Sequence, residues 1–147
     1  MYLRQAWQDK RLEFEPINNK IRKIRLGEDS WNKLWVPDTF FRNEKGANFH
    51  TVTVKNRLLT LNASGFLWYV TKISATLSCP MKLQKYPLDT QHCPMMFESF
   101  GYTMDTMYFS WLPSPVDIDP NVQLPQFTLK DEILYDCSQN YTAGSTS

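Results

Sequence analysis

The sequence predicts an all-β domain built as an antiparallel β-sandwich, and three observations lead to that fold class. Apolar and mixed residues alternate with a period of two over long stretches, and short strand-like runs are separated by turn signals. Aromatic residues make up 14% of the chain, which favours a folded β-rich protein over a disordered one. Its 147 residues suit one domain with a single core.

Residues 66–78 give the clearest strand pattern. One face of this predicted strand is largely apolar and the other is mixed, as in a strand that is buried on one side only. The apolar face reads Leu67, Tyr69, Thr71, Ile73, Ala75 and Leu77, and the mixed face reads Phe66, Trp68, Val70, Lys72, Ser74 and Thr76. Further strands are predicted at 57–61, 95–100, 107–111 and 126–135.

Turn signals separate these strands, at 62–65 (NASG), Gly101, 113–115 (PSP) and 119–120 (DP). One segment is ambiguous. Ile17, Ile21 and Ile24 have helical spacing, whereas Ile24 and Leu26 alternate as in a strand, so both interpretations stay open.

Composition excludes several classes of function. The net charge of +1 provides no basic field for nucleic acid. No apolar run reaches the roughly 18 residues that a membrane helix needs. Residues 1–10 lack the apolar centre of a signal peptide, so an export signal would lie outside this chain. There is no GxSxG motif, and the two histidines, His50 and His92, are few for a hydrolytic site, so we expect no enzyme.

Two of the three cysteines, Cys79 and Cys93, enclose thirteen residues between strand-like segments. A disulfide closing this loop would stabilise the fold by about 3 kcal/mol on the chain-entropy model. The spacing alone leaves bridged and free thiols both open. Tyr86-Pro87, inside the loop, is a candidate for a cis peptide bond. Without a CxxC motif we expect no metal site and no cofactor.

The whole loop, CPMKLQKYPLDTQHC, resembles the signature loop of the pentameric Cys-loop receptors. Four more blocks resemble segments of that family and occur in family order. They are YLRQAW at 2–7 (the loop D strand), WVPDTFFRNEK at 35–45 (loop A), ESFGYT at 98–103 (loop B) and LPQF at 124–127 (before loop C). NEKGA at 43–47 and the region of Cys137 resemble the glycine-, glutamate- and histamine-gated chloride channels most.

The resemblance implies that residues 1–147 are a partial extracellular ligand-binding domain of an immunoglobulin-like β-sandwich, truncated at both ends and without its transmembrane domain. It implies a Cys79–Cys93 disulfide and a partner for Cys137 at the residue after Ser147. The complete protein would be a subunit of a homo- or hetero-pentamer in the plasma membrane, with this part on the extracellular face, at a synapse. A soluble secreted transmitter-binding protein of the same fold is the alternative.

Ligands of this family bind between subunits, so the resemblance also implies a binding site. Arg4 matches the arginine that holds an agonist carboxylate, and it shares a strand face with Tyr2 and Ala6, while Leu3 and Trp7 point to the core. The other implied ligand-binding residues are Phe40, Glu98, Ser99, Phe100, Tyr102 and Tyr141 on the principal face, and Val70. The implied ligand is a small amino acid or amine, with glutamate or glycine favoured over histamine and GABA.

Three positions depart from the pattern of the glycine and glutamate receptors. Val70 stands where a carboxylate-facing hydroxyl is usual, Ala143 where a threonine is usual, and Thr146 where an aromatic residue is usual. His50 matches one of a zinc-linked histidine pair, but Asn48 replaces the other, so we expect a surface histidine.

Two N-glycosylation sequons occur in predicted turns, at Asn62 and Asn140. A glycan on Asn140 would crowd the entrance for the ligand.

Overall fold

The computed structural model describes residues 1–16 and 20–138, and its regular structure is almost entirely antiparallel β-sheet. The all-β antiparallel sandwich fold that the sequence predicted is confirmed. The strands are β1 (Tyr2–Gln8), β2 (Lys23–Arg25), β3 (Thr39–Phe41), β4 (Glu44–Phe49), β5 (Arg57–Asn62), β6 (Phe66–Leu77) and β7 (Phe97–Ser99). The helical elements are α1 (Glu28–Trp31) and two single 3-10 turns, Lys10–Leu12 and Leu83–Lys85.

The chain divides into two compact units, Met1–Phe100 and Gly101–Ser147. The first unit contains all seven strands found in the described residues. Its larger sheet has the order β1-β6-β5-β2, with β4 paired to the last part of β6, and all of these pairs are antiparallel. β6 has twelve residues and is the strand around which the sheet is built, since β1, β4 and β5 all bond to it.

The core lies on the apolar face that the alternation of β6 predicted. Leu59 of β5 and Leu67 of β6 are fully buried, and they pack with Leu61, Tyr69 and the ring of Trp31 from α1. Burial of each such side chain contributes about 1.5–3 kcal/mol. Partly buried side chains close around this cluster: Trp7, Leu12, Phe14, Leu26, Leu34 and Val36. Trp7 therefore points to the core from β1, as its position in the alternation predicted.

The β5–β6 hairpin turns through Ala63, Ser64 and Gly65. Gly65 has a φ of +76°, and a Cβ at this position would lie 2.5 Å from the backbone oxygen of Asp9. Both the left-handed backbone and the close approach require glycine here. The turn is held by a hydrogen bond from the Gly65 N–H to the Asn62 carbonyl, and the Asp9 N–H donates to the Gly65 carbonyl.

The smaller sheet pairs β3 with β7, and Asn43 ties it to the end of β6. The Asn43 side-chain amide donates to the carbonyls of Ser78 (3.0 Å) and Pro94 (2.9 Å), while its oxygen accepts from the Met96 N–H. One side chain thus joins the chain entering the cysteine loop to the chain leaving it.

The cysteine loop is closed by a disulfide between Cys79 and Cys93, and the Tyr86–Pro87 peptide bond is cis. Gln91 links two parts of the loop, because its side-chain oxygen accepts from the Lys82 N–H and its side-chain amide donates to the Lys82 carbonyl.

Two strand predictions were wrong. Residues 107–111 and 126–135 form no strand in the described part of the chain, where residues 101–138 contain only turns and irregular backbone. Alternation gives a segment one apolar face, but a strand also needs a neighbour to satisfy its backbone groups. Of the predicted strand at 95–100 only Phe97–Ser99 pairs.

The ambiguous isoleucine segment resolves in part. Ile24 lies in the strand Lys23–Arg25, whereas Ile17 lies outside the described residues.

Candidate ligand-binding site

The outer face of the five-stranded sheet carries the first group of candidate residues. The β1–β6 register places Arg4 directly opposite Val70, and Tyr2 directly opposite Lys72. Directly opposed side chains of an antiparallel pair have Cβ atoms about 4.5–5.5 Å apart, so each of these pairs is in contact range. Leu58 of β5 lies opposite Val70 on its other side.

This group faces away from the core. Tyr2 is 65% exposed and Arg4 is exposed, whereas Leu3 between them is half buried. The face therefore presents a ring, a guanidinium and an ammonium above an apolar pair, Val70 and Leu58. Such a surface favours an anionic group, because a guanidinium binds a carboxylate through two parallel hydrogen bonds.

The two-stranded sheet carries the second group. Phe40 lies opposite Glu98 in the β3–β7 register, and Phe100 lies two residues beyond Glu98. The rings of Phe40 and Phe100 meet edge to face, with their centroids 6.2 Å apart. Phe100 is 86% exposed, so this pair lies at the surface and not in the core. A carboxylate on the same sheet as an exposed pair of aromatic rings suits a cationic group.

Arg42 is a member of this second group that the sequence analysis missed. Its guanidinium Nε lies 3.7 Å from the Glu98 carboxylate, and both side chains are partly exposed. Arg42 follows Phe40 by two residues, so the period of two could have placed it on the same face. Its pairing with Glu98 depends on the register between two strands that are far apart in sequence.

Ser99, another predicted ligand-binding residue, hydrogen-bonds to a side chain outside its own strand. The Ser99 hydroxyl donates to the Asp38 carboxylate at 2.6 Å, and strand alternation places Ser99 on the face opposite to Glu98. Thr39, which pairs with Ser99, accepts a hydrogen bond from the Gln5 side chain of β1. This bond links the strand that carries Arg4 to the strand that carries Phe40.

The remaining candidates lie in the second unit. Tyr102 is partly exposed there, and Cys137 is a free, exposed cysteine. Tyr141, Ala143, Thr146 and the Asn140 sequon lie outside the described residues.

Zinc has no cluster of ligands in the part of the chain that the structure describes, where no three His, Cys, Asp or Glu side chains gather. His50 is half buried, and its ring hydrogen-bonds to the Ser74 hydroxyl at 2.8 Å.

The described residues form an antiparallel β-sandwich with a cysteine loop that a disulfide closes. The family model described as neurotransmitter-gated ion-channel ligand binding domain matches residues 1–146. The chain belongs to this family, whose members are the extracellular, ligand-binding domains of pentameric membrane channels and are not enzymes. Within residues 1–16 and 20–138, no helix is long and apolar enough to cross a membrane.

Proposed function

We propose that this chain is the transmitter-binding portion of an inhibitory anion-channel subunit, and that it binds a small amino acid between two neighbouring subunits. The β1–β6 register carries the proposal, because it puts Tyr2, Arg4 and Lys72 on one exposed face. This face would take the carboxylate. The Phe40–Glu98–Phe100 group of the adjacent subunit would take the ammonium.

A site formed between two subunits would suit the separation of cationic and anionic groups in this chain. The described chain carries its cationic group on one sheet and its anionic group on another. A zwitterion between two copies would meet Arg4 with one end and Glu98 with the other, so each charge of the ligand would find an opposite charge. Ser99, whose hydroxyl is bonded to Asp38, would position β7 instead of touching the ligand. The family pattern makes Tyr102 and Tyr141 further candidates for ligand contact.

Val70 bears on whether the ligand carries a carboxylate. It has no hydrogen-bond donor, and its cross-strand neighbour Leu58 has none either. Lys72 lies diagonally across from Arg4 in the register, within reach of a long side chain, so its ammonium would serve the second carboxylate oxygen. We therefore favour glutamate or glycine, with GABA and histamine as the other ligands to test.

Current recording from cells that express the complete subunit tests the proposal. Glutamate, glycine, GABA and histamine are applied in turn, and the reversal potential is followed as external chloride is replaced. The proposal expects a chloride current evoked by glutamate or glycine. A current evoked by histamine alone would overturn the amino-acid preference, and a cation current would overturn the anion channel. Ligand binding with no current would support the soluble binding protein instead.

A further inference from the structure

The outer face of the large sheet has a second feature, at the end opposite to Tyr2. A cavity of about 290 Å³ lies between Lys23, Thr60, Asn62, Phe66 and Trp68. Small-molecule pockets run from about 300 to 1,000 Å³, so this one has room for a single small group. Gln8, which pairs with Phe66, lies four residues from Arg4 along β1, roughly 14 Å at the rise of an extended strand. Trp68 is nearer, two residues from Val70 on the same strand face, so the cavity borders the candidate transmitter site but shares no lining residue with it.

Strand registers explain how the cavity is built. Lys23 lies opposite Asn62 in the β2–β5 register, and Phe66 flanks the same hairpin turn on β6. Thr60 lies opposite Trp68 and lines the bottom of the cavity, since Thr60 is only 7% exposed. Asn62 thus stands between an ammonium on one side and an aromatic ring on the other.

Asn62 itself is the first residue of the sequon Asn62-Ala63-Ser64. It is exposed at the end of β5, and its side chain makes no hydrogen bond to any described residue. Ser64 is exposed in the turn that follows. The amide and the hydroxyl that a glycosylating enzyme must reach are both accessible, and the family is extracellular.

We propose that Asn62 is N-glycosylated and that the first N-acetylglucosamine of its glycan occupies this cavity. The donor is a lipid-linked diphosphate oligosaccharide. The bond between its sugar C1 and the phosphate oxygen breaks, a bond forms from C1 to the Asn62 Nδ2, and the amide loses one proton while the lipid diphosphate leaves.

The chemistry of the cavity suits this sugar. One face of the ring consists of C–H groups and packs against the aromatic rings, of which Phe66 is 38% exposed. The rim of the sugar carries hydroxyl and acetamide groups, for which Lys23 offers donors and Thr60 a hydroxyl. The sugar would cover apolar ring surface that is otherwise open to water.

The experiment uses the complete subunit, expressed in eukaryotic cells, with Asn140→Gln and with any sequon outside residues 1–147 also removed, so that Asn62 is the sequon under test. The purified subunit is compared before and after treatment with each of two enzymes, by its mass and by its thermal unfolding midpoint. A peptide N-glycosidase removes the whole glycan, whereas an endo-β-N-acetylglucosaminidase leaves the first sugar in place. The proposal expects a glycan mass that Ser64→Ala abolishes. It also expects complete removal to lower the unfolding midpoint by roughly 2–4 °C, while trimming to one sugar leaves it unchanged.

Phe66→Ala tests the contact between the sugar and the aromatic ring. In this variant, complete removal of the glycan should lower the unfolding midpoint much less than it does in wild type. Phe49→Ala is the matched control, since Phe49 is an exposed aromatic residue on β4, away from the cavity. Complete removal also converts the asparagine to aspartate, and Asn62→Asp measures that charge effect alone. An unmodified Asn62 overturns the proposal outright. Equal shifts in Phe66→Ala and Phe49→Ala overturn the placement of the sugar.

Discussion

The two exposed groups of this chain differ in how their charges are balanced. On the large sheet, Arg4 lies beside Val70 and Leu58, and the registers put no acidic side chain opposite it. On the small sheet, Glu98 already has a cation nearby, Arg42 at 3.7 Å. Among residues 1–16 and 20–138 the Arg4 guanidinium has no ion pair, so an anion would bind it without competition there, whereas an ammonium must compete with Arg42 for the Glu98 carboxylate. The carboxylate end of a ligand should therefore contribute more to affinity than the ammonium end.

Arg4→Ala should have the largest effect. Loss of a charge-assisted, bidentate contact costs about 1.5–3 kcal/mol, which is roughly one to two decades in the potency of glutamate or glycine. Concentration–response curves of the complete receptor measure it. Arg25→Ala is the matched control, since Arg25 is an exposed arginine on the same sheet that lies opposite Thr60. Equal potency in wild type and Arg4→Ala would remove Arg4 from the site.

Glu98→Gln should have the next largest effect, about tenfold for any ligand with an ammonium group, because the carboxylate charge is lost while the shape remains. This variant separates the two faces. It should weaken histamine as much as an amino acid, whereas Arg4→Ala should leave histamine unaffected because histamine has no carboxylate. If both variants weaken every ligand alike, the two groups do not bind opposite ends of one molecule.

Val70→Thr should strengthen an amino-acid ligand by about fivefold, since it adds a hydroxyl donor beside Arg4 worth about 1 kcal/mol. The same side-chain shape is kept, so stability should change little. Val70→Ala provides the control for altered packing without a donor. Unchanged potency of glutamate and glycine in Val70→Thr would show that Val70 does not face the carboxylate.

Arg42→Leu should have the smallest effect and the opposite sign. A partly exposed ion pair contributes about 0.2–1 kcal/mol, so freeing Glu98 from Arg42 should raise the potency of ammonium ligands by up to about fivefold. Arg42→Lys keeps the charge and should resemble wild type. In the Glu98→Gln background the effect of Arg42→Leu should disappear, and persistence of the effect there would mean that Arg42 acts through something other than Glu98.

The sequence by itself determined the fold class, the family and the faces of the longest strand. Alternation is a local property, so Phe66–Leu77 could be divided into a core face and an outer face without knowledge of its neighbours. The order of five motifs indicated the family. The positions of Cys79 and Cys93 in one of these motifs defined the loop that their disulfide closes.

Only the tertiary structure decided which strands exist and which side chains meet. The segments 107–111 and 126–135 alternate but form no strand ladder within residues 1–16 and 20–138, because a ladder requires a partner strand that no local pattern supplies. The meeting of Arg4 with Val70, of Arg42 with Glu98, and of Asn62 with Lys23 each joins residues far apart in sequence. A shift of one residue in any of these registers would send the side chains to the other face. The physical reason is that hydrogen-bond register is set by packing across the whole sheet, whereas the alternation in a sequence describes each strand only by itself.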